Sequence, residues 1–422
     1  MGADSRLPSS EGVDVMKFFF PDSHDLVDPS FNFTTEKRSE TRMRQRDDQY
    51  AHEVLTTPPY SGLLVSKAIV DGTEKGAGKY TIAQRLRLLR SGVREFFRLG
   101  DRPLETMGDC GAFSYVKEKH PPYSVEEVID FYIQCRFDYG VSVDHVILGF
   151  QPDANEKSIE AKTLLDYRER QKITLDLANK FLKLHKQQRL KFTPVGVAQG
   201  WSPSSYAKSV QQLQKMGYQL IGIGGLVPLK TDEILSVLKK TDSVRKGKSQ
   251  FHLFGVSRCE HLEQFGDYHV VSFDSTSPLL QAFKHDRDNY YTPKFRYSAI
   301  RVPQTEGNMK LAARIRAGEV KQELARRLED ACMKALTKYD QHGGTVTKVL
   351  ELLREYDMEY DGRKDRTADY RKTLEDMPWK SCRCTVCRSL GIHVVIFRGA
   401  ERNRRRGFHN LFVTHQSIRH HL

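Results

Sequence analysis

Short β-branched segments alternate with longer amphipathic segments from residue 62 to about residue 275. The two clearest amphipathic segments, 124–137 and 161–186, carry apolar residues at helical spacing. Strand-helix alternation of this length predicts a parallel sheet covered by helices. The predicted strands are GLLVSKAIV (62–70), a short segment ending at Asp109, YGVSVDHVIL (139–148), FTPVGVAQ (192–199), QLIGIGGL (219–226), FHLFGV (251–256) and YHVVSFD (268–274).

Seven predicted strands favour a (β/α)8 barrel, the TIM-barrel form of the α/β class, over a doubly wound sheet. No eighth strand is evident, so closure of the barrel is inferred. After residue 304 the pattern becomes helical and then enters a tail rich in Cys and Arg. We therefore predict a barrel core with an N-terminal extension over residues 17–300 and a helical, zinc-binding C-terminal subdomain over residues 301–422. The polar residues 1–16 lack the features of a secretion signal and are expected to form a disordered lead.

The composition is basic, with 67 Lys and Arg against 54 Asp and Glu, and the net charge is +13. The cations cluster in three segments, 37–46, 284–301 and 398–406. The middle segment interleaves them with aromatic residues, a mixture that suits phosphates and exposed bases. Charge therefore favours a nucleic-acid partner, with a basic protein that binds none as the alternative. No run of about eighteen apolar residues occurs, so no membrane partner is expected.

Three of the seven cysteines, Cys382, Cys384 and Cys387, lie within six residues. An odd cysteine count without a secretion signal argues against a disulfide framework and for metal ligation in a reducing cytoplasm. With one histidine these cysteines form a Cys3His set, which suits tetrahedral Zn²⁺ with no open position. A redox-active thiol cluster is the alternative. His393, His409 and His415 compete as the fourth ligand, and His393 is disfavoured because it begins an apolar, strand-like run, HVVIF.

The arginines of the tail lie between the cysteines and the end of the chain. A closed zinc site would hold this segment rigid, and we predict that Arg404, Arg405 and Arg406 then face the nucleic acid. A solvated, charged loop is an equally weighted alternative for each of them.

Polar residues follow several predicted strands at the point where each strand ends. A barrel carries its chemistry at this edge. Singly, such a carboxylate is more often a helix N-cap, and such a glycine pair a tight turn. Three carboxylates and an amide at one barrel mouth instead suit glycosidic chemistry, in which one carboxylate attacks the anomeric carbon and another manages the proton. The residues are Asp109, Asp144, Gln199, Gly224, Gly225 and Asp274.

The same segments resemble those of tRNA-guanine transglycosylases, in the order found in that superfamily and over roughly residues 100 to 415. They are GDCGAFSY (108–115), DYGVSVDHV (138–146), GVAQG (196–200), GIGGLVPL (222–229), VVSFDST (270–276) and the Cys-x-Cys-x-x-Cys tail followed by a histidine. In the superfamily this histidine has the spacing of His409. Two departures are Ala112, where the tRNA enzymes have a second glycine, and Pro228 after GGLV.

Further segments are similar to the DNA-guanine transglycosylases of 7-deazaguanine DNA-modification systems, the DpdA branch of the superfamily. They are KFFFPDSHDLVDPSFNF (17–33), RQRDDQYAHEV (44–54), PPYSGLLVSKAIVDG (58–72) and FDSTSP (273–278).

The resemblance implies a base exchange by double displacement. Asp274 would attack C1′ of a deoxyguanosine nucleotide, and Asp109 would move the proton of the base. Asp144 would read the guanine edge. The incoming base would be preQ0 (7-cyano-7-deazaguanine). The exocyclic carbonyl side would be contacted by Gln199 and by the backbone at Gly200, Gly225 and Leu226.

The expected partners are DNA, preQ0 and, from the resemblance, an ATPase of the same modification system, and a homo-oligomer is left open. The expected cofactor is Zn²⁺, and the expected compartment is the cytoplasm. Two alternatives remain at this point. One is a transglycosylase that acts on tRNA. The other is a catalytically inactive nucleic-acid-binding subunit of the same family, against which the presence of both Asp109 and Asp274 argues.

Overall fold

A computed structural model describes residues 16–22, 24–73, 76–256, 258–361 and 365–420. Apart from Met16, the predicted lead lies outside the described residues. Eight parallel strands form a closed barrel, which confirms the predicted fold class. In chain order β1 to β8 are Lys17–Pro21, Gly62–Ser66, Glu105–Asp109, Tyr139–Val141, Thr193–Ala198, Leu220–Ile223, Gln250–Leu253 and Val270–Asp274.

The strand missing from the sequence prediction is β1, which closes the barrel between β8 and β2. Phe19 lies opposite Asp274 on one side and opposite Gly62 on the other. Its sequence, KFFFP, is a short apolar run without alternation, and such a run does not distinguish a strand from other buried segments. Two predicted strands are also shorter than expected. The segment 62–70 turns into a helix at Lys67, and only Tyr139–Val141 of the segment 139–148 is a strand.

Alternation along the strands separates two layers of apolar side chains. An inner layer fills the barrel and contains Phe19, Leu64, Met107, Val141, Val195 and Val197. The outward side chains, such as Phe18 and Leu63, pack under the surrounding helices. Because side chains two residues apart share a face, Ser66 follows Leu64 and Asp109 follows Met107 on the inner side. The polar strand ends therefore stand above an apolar plug at the barrel mouth.

Helices surround the barrel and continue beyond it. Several begin at side-chain caps, since Thr81, Ser124 and Ser202 each accept a hydrogen bond from a first-turn backbone N–H. The α-helices are Ala51–Val54, Lys67–Asp71, Ile82–Ser91, Val93–Phe96, Val125–Cys135, Ala161–Gln187, Pro203–Met216, Thr231–Asp242, Leu262–Gly266, Ser277–Lys284, Met309–Arg316, Gln322–His342, Val346–Tyr360, Thr367–Asp376, Pro378–Ser381, Thr385–Leu390 and Gly399–His420. In the described part of the chain, no helix combines the length and apolar character needed to cross a membrane.

Short elements complete the structure. The 3-10 helices are Ala112–Tyr115, Asp153–Ser158, Cys259–His261 and Gly391–Val395. Two-residue strands pair as Gly72–Thr73 with Gly76–Ala77, Tyr290–Tyr291 with Arg296–Tyr297, and Ile300–Arg301 with Ile396–Phe397.

The C-terminal helix Gly399–His420 packs against Ser277–Lys284, the helix that follows β8. Gly407 allows this approach, because a Cβ there would lie 2.6 Å from Cδ1 of Leu279. The pairing of Ile300–Arg301 with Ile396–Phe397 also joins the two sides of the predicted boundary at residue 300. That boundary remains a prediction. The packing places the cysteine-rich tail directly beside the barrel.

Candidate active site and metal centre

A pocket of about 370 Å³ opens at the mouth of the barrel, where the strands end. The predicted residues Asp109, Asp144, Gln199, Gly225 and Asp274 all line it. They come from the ends of β3, β5, β6 and β8 and from the segment after β4. The structure therefore brings together the carboxylates and the amide that the sequence placed at separate strand ends.

Asp109 is enclosed at the end of β3. Its Oδ2 accepts hydrogen bonds from Ser66 Oγ at 2.8 Å and from the Gly111 backbone N–H at 2.9 Å. Burial raises the pKa of the Asp109 carboxyl, the Ser66 hydrogen bond opposes this, and the charge of Asp274 raises it further. A carboxyl with a raised pKa can hold a proton at higher pH than an exposed one. Asp109 is therefore suited to proton transfer.

Asp144 accepts hydrogen bonds on both carboxylate oxygens. The Gln199 amide donates to Oδ2 at 2.7 Å, and the Cys110 thiol donates to Oδ1 at 3.2 Å. Burial raises the pKa of Asp144 to about 7, the negative charge of Asp109 adds to the shift, and the Cys110 and Gln199 hydrogen bonds oppose it. The Tyr115 hydroxyl donates to the Asp144 carbonyl oxygen at 3.1 Å and so supports the same segment. Asp144 is thus a hydrogen-bond acceptor on the pocket wall, and its orientation is fixed by its neighbours.

The glycine pair after β6 leaves the space that Gln199 needs. A Cβ at Gly224 would lie 2.2 Å from Gln199 Nε2. Gly225 has φ of +74° and lies so close to the Ile147 carbonyl that a Cβ would be 2.5 Å from it. The Ile147 backbone N–H in turn donates to Gln199 Oε1 at 3.3 Å. Only glycine fits at Gly225, and a side chain at Gly224 would displace the Gln199 amide, so the pair shapes the pocket.

Gly200 and Leu226 are buried behind the pocket and do not belong to its lining. A Cβ at Gly200 would meet the Tyr206 ring at 2.7 Å, and the Leu226 side chain lies in the outer core. Of the three predicted backbone contacts, the structure therefore places only Gly225 at the pocket.

Asp274 ends β8 and is almost completely buried at the pocket floor. Its Oδ1 accepts a hydrogen bond from the Gly255 backbone N–H at 3.1 Å and lies 3.3 Å from His252 Nε2. His252 comes from β7, and its Nδ1 lies 2.8 Å from Ser272 Oγ. The sequence analysis missed His252, although its position in FHLFGV is compatible with an inward side chain.

Two aromatic side chains were also missed. Phe113 and Phe254 both line the pocket, and Phe113 is 47% exposed at its rim. Phe113 follows Asp109 by four residues in GDCGAFSY, and Phe254 follows the inward-facing His252 by two residues. An exposed aromatic ring beside buried carboxylates suits a flat, polar base.

The predicted metal ligands form one cluster, in which the ligand atoms of Cys382, Cys384, Cys387 and His409 all lie within 4.8 Å of one another. His409 Nδ1 lies 3.5, 3.5 and 3.3 Å from the three sulfur atoms. Tetrahedral Zn²⁺ with bonds of about 2.3 Å to sulfur and 2.0 Å to nitrogen requires edges of roughly this length. The four side chains therefore fit a metal ion of this kind.

The partners of His409 outside the cluster fix its orientation. Its Nε2 donates to the Tyr291 carbonyl oxygen at 2.7 Å, which leaves Nδ1 free for a metal. The Tyr290 ring stacks on the imidazole at 4.1 Å, and the Tyr290 hydroxyl lies 3.2 Å from Cys387 Sγ. His393 and His415 lie outside the cluster, so that among the three candidate histidines His409 is the one placed with the cysteines.

The structure contradicts the predicted role of Arg405 and Arg406. Arg406 is fully buried, and its guanidinium donates to the carbonyl oxygens of Val394, Ile396 and Ala282. Arg405 is 6% exposed and pairs with Glu401 at 2.6 Å. A guanidinium enclosed by such partners is not available to a phosphate.

Arg404 is one-third exposed and donates to the Leu26 carbonyl oxygen at 3.2 Å. The neighbouring Arg398 and Arg402 both pair with Glu36. The basic tail therefore fastens the C-terminal helix to the segment that follows β1. The predicted contact of the one-third exposed Arg404 with nucleic acid remains a prediction.

A known protein resembles this chain along nearly its whole length. No family model matches the chain. The chain is 50% identical over 411 residues to the DNA-guanine transglycosylase of Salmonella montevideo. The matched residues make up 96% of this chain and 97% of that protein. Identity at this level along nearly the whole length confirms the resemblance found in the sequence. The chain belongs to the DNA-guanine transglycosylases, a family of glycosyltransferases.

Proposed function

We propose that this chain exchanges guanine in DNA for preQ0 through a covalent intermediate on Asp274. The observation that carries the proposal is the meeting of Asp109, Asp144 and Asp274 in one pocket with Gln199. The similarity to the DNA-guanine transglycosylase of Salmonella montevideo supports DNA as the polymer. It disfavours the alternative of a tRNA-modifying enzyme. The alternative of an inactive subunit is disfavoured because both catalytic carboxylates reach the pocket.

The first displacement uses Asp274 as the nucleophile. A carboxylate oxygen forms a bond to C1′, the C1′–N9 bond breaks, and its electron pair leaves with guanine. Asp109, whose pKa burial raises, supplies the proton that the leaving base takes up. The product is an ester between Asp274 and the sugar.

The second displacement reverses these roles. The incoming base gives its N9 proton to the Asp109 carboxylate, N9 attacks C1′, and the Asp274 carboxylate leaves. Each displacement inverts C1′, so that the net result is retention, as in retaining glycosidases. No net proton is consumed, which makes the exchange symmetrical for the two bases.

Base recognition is assigned to Asp144 and Gln199. The Asp144 carboxylate would accept hydrogen bonds from the N–H groups of the guanine edge. A Gln amide carries two N–H donors, and one of them is used on Asp144 Oδ2. The second remains for the exocyclic carbonyl oxygen of the base. Gly225 lines the same wall, whereas Gly200 and Leu226 are not assigned a contact.

The Cys3His cluster is proposed to hold Zn²⁺ as a structural ion. Four protein ligands complete a tetrahedral shell, so that no position remains for a substrate. Bound there, the ion supplies a crosslink between the cysteine-rich turn and the C-terminal helix. The chemistry at the barrel mouth needs no metal ligand from this cluster.

A guanine inside a duplex cannot reach the pocket floor, so it is flipped out or presented in single-stranded DNA, at a cost of a few kcal/mol. We assign the opening of the duplex to the ATPase partner implied by the sequence resemblance. Adding that ATPase with ATP should increase base exchange in duplex DNA and leave exchange in single-stranded DNA unchanged.

The proposal is tested by incubating the full chain with labelled preQ0 and either DNA or tRNA, and then counting the label in each polymer. We expect label in DNA and none in tRNA. Label in tRNA alone would overturn the choice of polymer. Label in neither polymer, while labelled guanine is incorporated into DNA, would overturn the choice of preQ0.

A further inference from the structure

A histidine lies inside the barrel directly beside the proposed nucleophile. His252 on β7 is fully buried, and its ring contacts Phe254 at 4.6 Å and Phe19 at 6.1 Å between centroids. A polar ring in such apolar surroundings costs free energy unless its nitrogen atoms are hydrogen-bonded. Both nitrogens have a partner here, Ser272 Oγ and Asp274 Oδ1. The ring therefore links two residues of β8 that share the inner face.

The partners determine how the imidazole is oriented. A carboxylate accepts hydrogen bonds and donates none, so Nε2 must carry the hydrogen that points at Asp274. In the neutral ring Nδ1 is then an acceptor, and the Ser272 hydroxyl donates to it at 2.8 Å. Ser272 thereby selects the tautomer that His252 needs to hold Asp274.

The two oxygens of Asp274 are held differently. Oδ1 receives the Gly255 backbone N–H at 3.1 Å and the His252 N–H at 3.3 Å. Among the hydrogen bonds of the described residues, none reaches Oδ2. Donors on one oxygen fix the plane of the carboxylate and leave the lone pairs of the other oxygen available for bond formation.

We propose that His252 is a positioning residue that selects Oδ2 of Asp274 as the attacking atom, and that Ser272 acts through His252. This inference rests on the proposed role of Asp274 as the nucleophile. When Oδ2 bonds to C1′, it becomes the bridging oxygen of the ester. Oδ1 becomes the ester carbonyl oxygen and keeps both donors. The same two donors then receive the negative charge when Asp274 leaves in the second displacement.

The inference is tested with variants of the full, metal-loaded chain, using incorporation of labelled guanine into single-stranded DNA. His252→Leu removes the donor, and we expect kcat to fall about 100-fold because the nucleophile loses its orientation. The KM for the base should stay within about twofold, since His252 does not contact the base. His252→Gln places an amide N–H at similar reach, and kcat should recover to within about tenfold of the wild type.

A double-mutant cycle separates positioning from simple packing. Ser272→Ala alone should lower kcat about threefold to tenfold, the value of one lost hydrogen bond. In the His252→Gln background the same change should have a smaller effect, because the Gln side chain has no acceptor at the position of Nδ1 and its one acceptor, Oε1, lies on the terminal amide. His52→Gln is the matched control. His52 is a buried histidine hydrogen-bonded to Tyr60 and to the Phe97 carbonyl oxygen, away from the pocket.

The outcomes separate this inference from the proposed function. Unchanged kcat in His252→Leu, together with an inactive Asp274→Asn, would overturn the positioning role alone. Equal losses in His252→Leu and His252→Gln, or an undiminished effect of Ser272→Ala in the Gln background, would also overturn it. Activity retained in Asp274→Asn would overturn the proposed nucleophile and this inference with it.

Discussion

The side-chain amide of Gln199 donates a hydrogen bond of 2.7 Å to Oδ2 of Asp144, and both side chains are buried in the wall of the barrel mouth. Gln199 lies at the end of β5, and Asp144 lies in the segment after β4. The pair joins two strand ends into one polar surface that lines the pocket. This surface is the part of the site best suited to recognising a base edge.

Asp144 should make the stability of the protein depend on pH. Burial raises the pKa of Asp144 to about 7, well above the usual range of an Asp carboxyl, so that the folded state binds this proton more tightly than the unfolded state. The free energy of unfolding should therefore fall as pH rises from about 4 to about 7, by at most about 4 kcal/mol from this group. Asp144→Asn should reduce this dependence, as measured by urea unfolding at pH 5 and pH 8. Equal pH dependence of stability in the wild type and in Asp144→Asn would contradict this prediction. Asp166→Asn, at an exposed carboxylate, is the control.

The two carboxylates proposed to be catalytic, Asp274 and Asp109, should differ in the intermediate that they allow. Asp274→Asn removes the attacking carboxylate, so that guanine release and the covalent DNA adduct should both disappear. Asp109→Ala removes a proton carrier, which typically costs about 10² to 10⁴-fold, and the adduct should still be trapped. Denaturing gels of enzyme mixed with guanine-containing DNA show the adduct as a shifted band. A band in Asp274→Asn but not in Asp109→Ala would show that Asp109 is the nucleophile and Asp274 the proton carrier.

The metal cluster should stabilise the folded C-terminal region. We expect about one Zn²⁺ per chain, measured by elemental analysis of the purified protein. Cys384→Ser should lose the metal together with solubility, because zinc binding contributes on the order of 10 kcal/mol to such sites. Cys332→Ser, at a buried cysteine outside the cluster, should keep the metal. A full metal content in Cys384→Ser would show that the ligand assignment is wrong.

The buried arginines should contribute to stability rather than to DNA affinity. Arg405→Ala removes one partner of the buried Glu401, which also pairs with Arg38, and should cost about 1.5 to 3 kcal/mol of unfolding free energy, the range for a hydrogen bond to a charged group. The salt dependence of DNA binding by the folded fraction should stay the same. If Arg405→Ala flattened the salt dependence of DNA binding and left the free energy of unfolding unchanged, Arg405 would contact DNA after all.

The exposed cations of the middle basic cluster remain the sequence-based prediction for phosphate contacts. Lys294 and Arg296 are exposed on either side of Phe295. Arg296 lies in the strand pair that Tyr291 joins to His409, and Lys294 lies in the segment that connects the two strands. Replacing either cation by Ala should reduce the log–log slope of DNA affinity against salt by about 0.7 to 0.9. Lys240, in the helix Thr231–Asp242, offers an exposed control residue. The same slope in all three variants would place the DNA elsewhere.

Local pattern was sufficient for seven of the eight barrel strands and for the three cysteines of the metal cluster. The spacing of apolar residues in each segment reflects which of its faces is buried, and this distinguishes strands from helices. The alternation of the two kinds of segment then predicts a parallel sheet. Cys382, Cys384 and Cys387 are so close in the sequence that their side chains can meet within one short segment. The carboxylates could be found because strand ends in a barrel converge. The strands, the cysteines and the strand-end carboxylates can each be recognised from their neighbours in the chain, so the sequence alone was sufficient to predict them.

Contacts between distant residues decided the rest. KFFFP becomes the closing strand only because β8 and β2 offer it two edges. Arg398 is buried because it meets Glu36, which lies 362 residues away in the sequence. His252 matters because the barrel turns its ring towards Asp274 rather than towards a helix. Charge, polarity and apolar runs were visible in the sequence, but burial and partners are properties of the tertiary structure, since they depend on what the fold brings to the other side of each residue.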